Sequence, residues 1–213
     1  DLRYNWRFSR WIFAMNFAYM GSMLSYPWII TWFHGPDETG VFAACNIVVL
    51  LTNPFLLGMS NFLEPKAAHA WTENGVAGVK NVVKKATLFF CVTMLGFCLL
   101  MLAAGGLLLR ILYADKYVDH TPVVIILSFS QLAWSFTIPV NFALNAIERP
   151  DVAFKSLVLS LVCTCTFGLW LVSELGAPGA AGGMLAGNTL ACIYTRLIFM
   201  RQMKLIAAGG TTK

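Results

Sequence analysis

Six stretches of this chain run without an Asp, Glu, Lys or Arg for about the thickness of a lipid bilayer, and no other feature limits its fold as severely. They span 11–33, 41–63, 86–109, 121–147, 156–173 and 175–195, and are called spans a to f below. A helix rises 1.5 Å per residue, so about 20 residues cross a hydrocarbon core of roughly 30 Å. Barrel strands are excluded, because the stretches lack polar alternation and exceed the ~10 residues a barrel strand needs. The chain holds 58% hydrophobic and only 12% charged residues, against about 25% charged in soluble domains. The expected fold is all-α, an integral membrane bundle of six helices.

The charges between the stretches alternate. Arg3, Arg7 and Arg10 precede span a; Lys66, Lys80, Lys84 and Lys85 lie between b and c; Arg149 and Lys155 separate d from e; Arg196, Arg201, Lys204 and Lys213 follow f. The other three connections hold only Arg110 and Lys116. Basic residues near helix ends resist translocation, which predicts a multi-pass protein of the cytoplasmic membrane with both termini cytoplasmic. The net charge of +5 follows from this topology, and no free basic region suggests nucleic acid as a partner. The outer turns 34–40 and 174–179 are short and rich in Pro, Gly and acids, so a with b and e with f form hairpins. The b–c connection is the longest, and its run 67–83 suits either a helix along the interface or a plain loop. The first stretch lacks a small-residue cleavage site and does not read as a signal peptide. The opening at Asp1 suggests a piece of a longer protein.

Polar residues inside the spans are amides and hydroxyls. Span d carries Ser128, Gln131, Ser135, Asn141 and Asn145 on one broad arc; b carries Asn46, Asn53 and Ser60 at seven-residue spacing; a carries Asn16, Tyr19 and Tyr26. An amide facing lipid loses its water partners, so these faces meet either other helices or a wet cavity. Three helices sharing the pattern favour a cavity, with Pro27, Pro54 and Pro139 bending the helices around it. In span f, Gly179, Gly183, Gly187 and Ala191 recur every fourth residue, a stripe that admits another helix at close range. No acid or base occupies the middle of any span, which leaves no proton relay or coupling carboxylate. The six cysteines lie in apolar stretches without a CxxC pair, so neither metal nor cofactor is expected. A nucleophile paired with a base and a phosphate loop are both missing, and the expectation is a protein that is not an enzyme.

The runs GVFAACNIVVLLTNPFLLGMSNFLEPKAA, LLLRILYADKYVDHTPVVIILSFSQLAWSF, NAIERPD and LGAPGAAGGMLAGN follow one another along the chain. Together they resemble the second half of the polysaccharide-transport flippases in the multidrug/oligosaccharidyl-lipid/polysaccharide exporter superfamily. The resemblance implies two six-helix lobes and alternating access. It divides this chain into a cytoplasmic inter-lobe linker 1–10, a C-terminal lobe 11–204 and a cytoplasmic tail 205–213, with a missing N-terminal lobe as partner. It also implies a lipid-linked sugar substrate among the membrane lipids. Asn46, Asn53, Gln131, Asn141 and Asn145 would face the glycan, while Arg10 at the inner mouth and Arg110 at the outer one would attract its pyrophosphate.

Two other functions fit less well. A drug or cation antiporter of the same superfamily usually relies on intramembrane carboxylates, and these spans have none. A membrane-embedded glycan polymerase or glycosyltransferase needs large outer loops with catalytic acids, and the outer loops here are short.

Overall fold

The computed structural model describes residues 24–208 together with Phe13, Phe17, Met20 and Gly21. Among these residues every element is helical. A first helix, α1, covers 24–34. It is followed by α2 (Pro36–Leu50), α3 (Asn53–Tyr113), a 3-10 segment (Ala114–His120), α4 (Thr121–Ser135) and α5 (Thr137–Ala146). The remainder comprises α6 (Pro150–Cys163), a π-helical turn (Thr164–Gly168), α7 (Leu169–Leu175) and α8 (Ala177–Ala207). Three helical stretches are long and apolar enough to cross a membrane: Asn53–Ala146, Pro150–Leu175 and Ala177–Ala207, of 94, 26 and 31 residues. This is an all-helical structure with membrane-like helices. Residues 1–10, and with them Arg10, lie outside the described residues, as do Asn16, Tyr19 and 209–213. The expected tail begins as helix, since α8 continues to Ala207.

Prolines explain where the helices break. Pro54 has no N–H to offer the carbonyl of Leu50, and the helical hydrogen-bond ladder is interrupted between α2 and α3 at Leu51 and Thr52, whose dihedrals stay in the helical region. There the Thr52 hydroxyl donates to the Val49 carbonyl at 2.9 Å. Pro139 likewise leaves the Ser135 carbonyl without its donor, and α4 gives way to α5 at Phe136. Pro27, by contrast, lies within the continuous helix 24–34.

The long α3 is two arms, 53–74 and 76–113, joined at Gly75, whose φ of 52° and ψ of −135° leave the helical region. A side chain would be strained there, which only glycine avoids. The arms fold back on each other. A Cβ on Gly78 would strike the carbonyl oxygen of Ala70, and Phe55 of one arm meets Phe89 and Phe90 of the other at ring separations of 5.9 and 6.2 Å. The b–c connection is therefore helical, and it prolongs both spans instead of forming a separate segment.

Packing directions are consistent with successive helices that alternate up and down. Cys98 of α3 donates to the Ser128 carbonyl of α4 at 3.4 Å, while the Gly105 backbone faces Thr121 and Val124, so these two helices run antiparallel. Helix α8 runs antiparallel to the α6–α7 rod along its glycine stripe. A Cβ on Gly187 would lie 2.9 Å from Ser160 Oγ, and one on Gly183 2.9 Å from the Cα of Gly168; one on Gly179 would collide with the Leu171 carbonyl. The stripe is thus a close helix–helix seam.

Three buried clusters hold the bundle. One, around Ile30, Val48, Met101, Val124 and Val172, joins α1, α2, α3, α4 and α7. Another, with Val79, Leu144, Val152 and Met203, sits at the opposite end. The third packs Leu56 and Leu63 against Ala86, Phe90 and Met94 between the arms of α3. On the outside of the second arm, Leu88, Val92, Leu95, Leu99 and Leu102 form a continuous exposed stripe, with Leu88, Val92 and Leu99 each 65% accessible. Such a stripe is an association hazard in water and ordinary surface in hydrocarbon.

Candidate functional site

A cavity of about 110 Å³ opens where α1, α2, α4, α6 and α8 converge. Asn46 reaches it from α2, Asn53 from the first turn of α3 and Gln131 from α4. The helix breaks bring these residues together. Gln131 Nε2 donates to Asn53 Oδ1 and to Thr52 Oγ1, each at 3.3 Å, so the amide of α4 is held by the residues where α2 lapses into α3. Bonds near the 3.2 Å limit are loose, leaving room for a competing partner.

The opposite wall is assembled from residues that share no pattern in the sequence. Asn188 of α8 lines the cavity while donating to the Ser130 hydroxyl at 2.9 Å and to its carbonyl at 3.4 Å. Ser160 and Thr164 line it from α6 and the π turn, and Tyr26 from α1. The Thr164 hydroxyl donates to Tyr26 Oη at 3.2 Å and shares itself with the Ser160 carbonyl at 3.1 Å. A π turn inserts an extra residue into the helix and commonly marks a functional position; this one aims Thr164 at Tyr26. Phe42, Leu50, Trp134, Leu157 and Met184 complete the wall. Among the described residues the site offers amides, hydroxyls and aromatic faces, and no carboxylate, lysine or arginine.

The other expected site residues lie elsewhere. Asn141 and Asn145 occupy successive turns of α5, outside the cavity lining, and each has a buried Oδ1 that accepts no hydrogen bond from the described residues. A buried acceptor without a donor costs roughly 1–3 kcal/mol. Arg110, at the end of α3, is exposed and bonds Asp115 at 2.9 Å. It is apart from the cavity. Ser128 and Ser135, on the same expected arc as Gln131, instead bond back to the Val124 and Leu132 carbonyls of their own helix. Among the described residues no group of three or more His, Cys, Asp and Glu could hold a metal ion.

At one end of the bundle the turns of the two hairpins are tied together. His34 Nε2 meets the Val172 carbonyl at 2.7 Å, and Glu38 Oε1 accepts the Ala177 N–H at 3.0 Å. The second contact places a carboxylate at the N-terminus of α8, where the helix dipole favours negative charge.

Comparison with known proteins gives two similarities. The chain is 25% identical, over 140 residues, to an uncharacterized membrane protein of Methanocaldococcus jannaschii; the matched part is 66% of this chain and 28% of that protein. It is 24% identical, over 149 residues, to the capsular polysaccharide biosynthesis protein CapF of Staphylococcus aureus, covering 69% of this chain and 37% of CapF. The chain thus spans well under half the length of the curated relatives it matches. No family model matches, and no solved structure does. These similarities are compatible with a membrane protein that has a role in polysaccharide biosynthesis.

Proposed function

We propose that this chain is a six-span lobe of a transporter that carries lipid-linked oligosaccharide precursors across the cytoplasmic membrane by alternating access, without making or breaking a covalent bond. A second lobe completes the passage, and both termini of this one are cytoplasmic. The observation that carries the reading is the uncharged cavity, in which Asn46, Asn53, Gln131 and Asn188 stand beside Tyr26 and Trp134. Sugar hydroxyls both donate and accept, and amides answer both needs; aromatic faces cover the apolar side of a pyranose. The loose Gln131 bonds make this amide the first to exchange its partners for a hydroxyl. Similarity to a capsular polysaccharide biosynthesis protein supports the same substrate class. The antiporter reading finds no ionisable carboxylate among the described residues of this cavity.

Cysteine substitutions at Asn46, Asn53 and Gln131, placed in the complete protein with its native cysteines replaced, test the proposal. Each should react with a water-soluble maleimide, and added lipid-linked oligosaccharide should slow the reaction. Uniform inertness would make the amides packing contacts, and reactivity indifferent to the oligosaccharide would remove the substrate assignment.

A further inference from the structure

A second cavity, of about 350 Å³, lies between the two arms of α3 and is separate from the amide site. Its floor is Met59, Leu63, Val82 and Ala86, flanked by Phe62 and Phe89, and its rim carries Lys66, Asn81 and Lys85. The two phenylalanines are 56% and 43% accessible, so the groove opens sideways to the surroundings of the bundle. The position of the lysines along the helices is decisive. The charge-free stretch b ends at residue 63 and stretch c begins at 86, so Lys66 and Lys85 fall at the two points where these helices leave the hydrocarbon. Below them the groove is apolar; above them the arms continue as helix to Gly75 and carry the charged residues Glu73, Lys80 and Lys84.

We infer that this groove is a binding site for one anionic phospholipid of the leaflet on the basic side of the protein. Lys66 and Lys85 would receive the headgroup phosphate, Asn81 would donate to its oxygens, and an acyl chain would lie along Met59 and Leu63 between the phenylalanines. Charge complementarity selects the occupant. Neither lysine has a carboxylate partner among the described residues. Lys66 is poised over the Phe62 ring, with Nζ 4.8 Å from its centroid. The acidic residue nearest along the first arm, Glu64, is outside the lining, and Glu73 is engaged by His69 at 3.0 Å. A zwitterionic lipid would bring a quaternary ammonium toward two lysines, and a free phosphate would leave the apolar floor uncovered. The inference rests on where the spans end and does not depend on the oligosaccharide assignment.

The test uses the full protein, its native tryptophans replaced by phenylalanine, in mixed vesicles of phosphatidylglycerol and phosphatidylcholine, with Met59→Trp as the sole reporter in the groove floor. Brominated phosphatidylglycerol should quench the reporter at a mole fraction roughly twenty-five-fold below that needed for brominated phosphatidylcholine, about fivefold for each lysine. Lys66→Gln with Lys85→Gln should erase that preference, and Arg201→Gln with Lys204→Gln should leave it unchanged. Equal quenching by the two lipids in the protein with both lysines intact would overturn the inference. So would displacement of the phosphatidylglycerol by equimolar polyprenyl pyrophosphate, which would give the groove to a transport substrate. Inorganic phosphate that relieves quenching at micromolar concentration would equally overturn it, as a phosphate site without a lipid. Native mass spectrometry of the detergent-purified protein gives an independent reading, because the double lysine variant should lose the retained phosphatidylglycerol.

Discussion

Alanine at three glycines of α8 should produce sharply different outcomes although the substitutions are chemically identical and lie within five residues. A Cβ at Gly183 would sit 2.9 Å from the Cα of Gly168 and 2.9 Å from Tyr26 Oη. The first neighbour is backbone and cannot rotate away; the second is a buried ring whose hydroxyl is bonded to Thr164. Overpacking of this kind costs about 1–3 kcal/mol. At Gly179 the obstacle is the Leu171 carbonyl itself, so the cost should lie at or above the upper end of that range. At Gly182 the nearest atom is the flexible Leu171 Cδ1 at 3.6 Å, an ordinary contact. Alanine there should be neutral or stabilising by up to about 1 kcal/mol through helix propensity. Thermal unfolding of the purified protein, with Cys91, Cys163, Cys165 and Cys192 replaced, can be followed by a fluorogenic maleimide, which reacts as the buried Cys45 and Cys98 become exposed. At about 2–4 °C per kcal/mol, Gly183→Ala should lower the midpoint by roughly 2–12 °C and Gly182→Ala should hold or raise it. Equal midpoints for these two variants would refute the close seam and, with it, the placement of Tyr26 against α8.

Glu38→Ala should destabilise the same protein by about 1–2 kcal/mol, through the lost acceptor for the Ala177 N–H and the lost charge at the helix terminus; Glu38→Gln should recover part of the loss, and an unchanged midpoint for both would deny the tie between the hairpins. Pro139→Ala gives the Ser135 carbonyl its missing donor, so it should straighten α4 into α5, carry position 131 away from Asn53 and speed maleimide labelling of a cysteine placed there several-fold. An unaltered labelling rate would mean that the break at Phe136 does not position the cavity.

Sequence periodicity revealed most of the helices and half of the cavity. Asn46, Asn53 and Gln131 were legible because an amide in an apolar run is conspicuous, and Pro54 and Pro139 because proline removes a helical donor; Pro27 and Pro65 carry the same signal inside helices that continue through them. Tyr26 was visible only as part of an arc. Ser160, Thr164 and Asn188 were not legible as site residues, since each is a solitary small polar group whose role depends on neighbours in other helices. Asn188 even adjoins Gly187 within the packing stripe. The reversal at Gly75 had a local signal in the Asn74–Gly75 pair, a common turn dipeptide, which the surrounding helical pattern masked. Asn141 and Asn145 share an apolar span with Gln131, and residue pattern alone does not separate them from it. They lie ten and fourteen residues farther on, roughly 15 and 21 Å along the helix axis, and so stand at another depth of the bundle, outside the cavity lining.

The same contacts indicate where the cavity can change shape. Its far wall is stiff: α8 is seated on the α6–α7 rod through glycines that leave no slack, Tyr26 is pinned between Thr164 and that seam, and His34 and Glu38 fasten α1 and α2 to the tops of α7 and α8. Its near wall is built from Asn53 and Gln131, which flank the two proline-induced lapses and hold each other by bonds of 3.3 Å. Rotation at a lapse meets one helical hydrogen bond fewer than elsewhere, because proline has removed a donor; at the first lapse the Leu56 N–H to Thr52 carbonyl bond of 3.0 Å still has to yield. Deformation elsewhere must break a helix ladder or unseat the seam. The amides most available to a ligand are thus carried by the joints of lowest resistance, so a molecule that draws Gln131 away from Asn53 acts directly on the hinge between α2 and α3 and on that between α4 and α5.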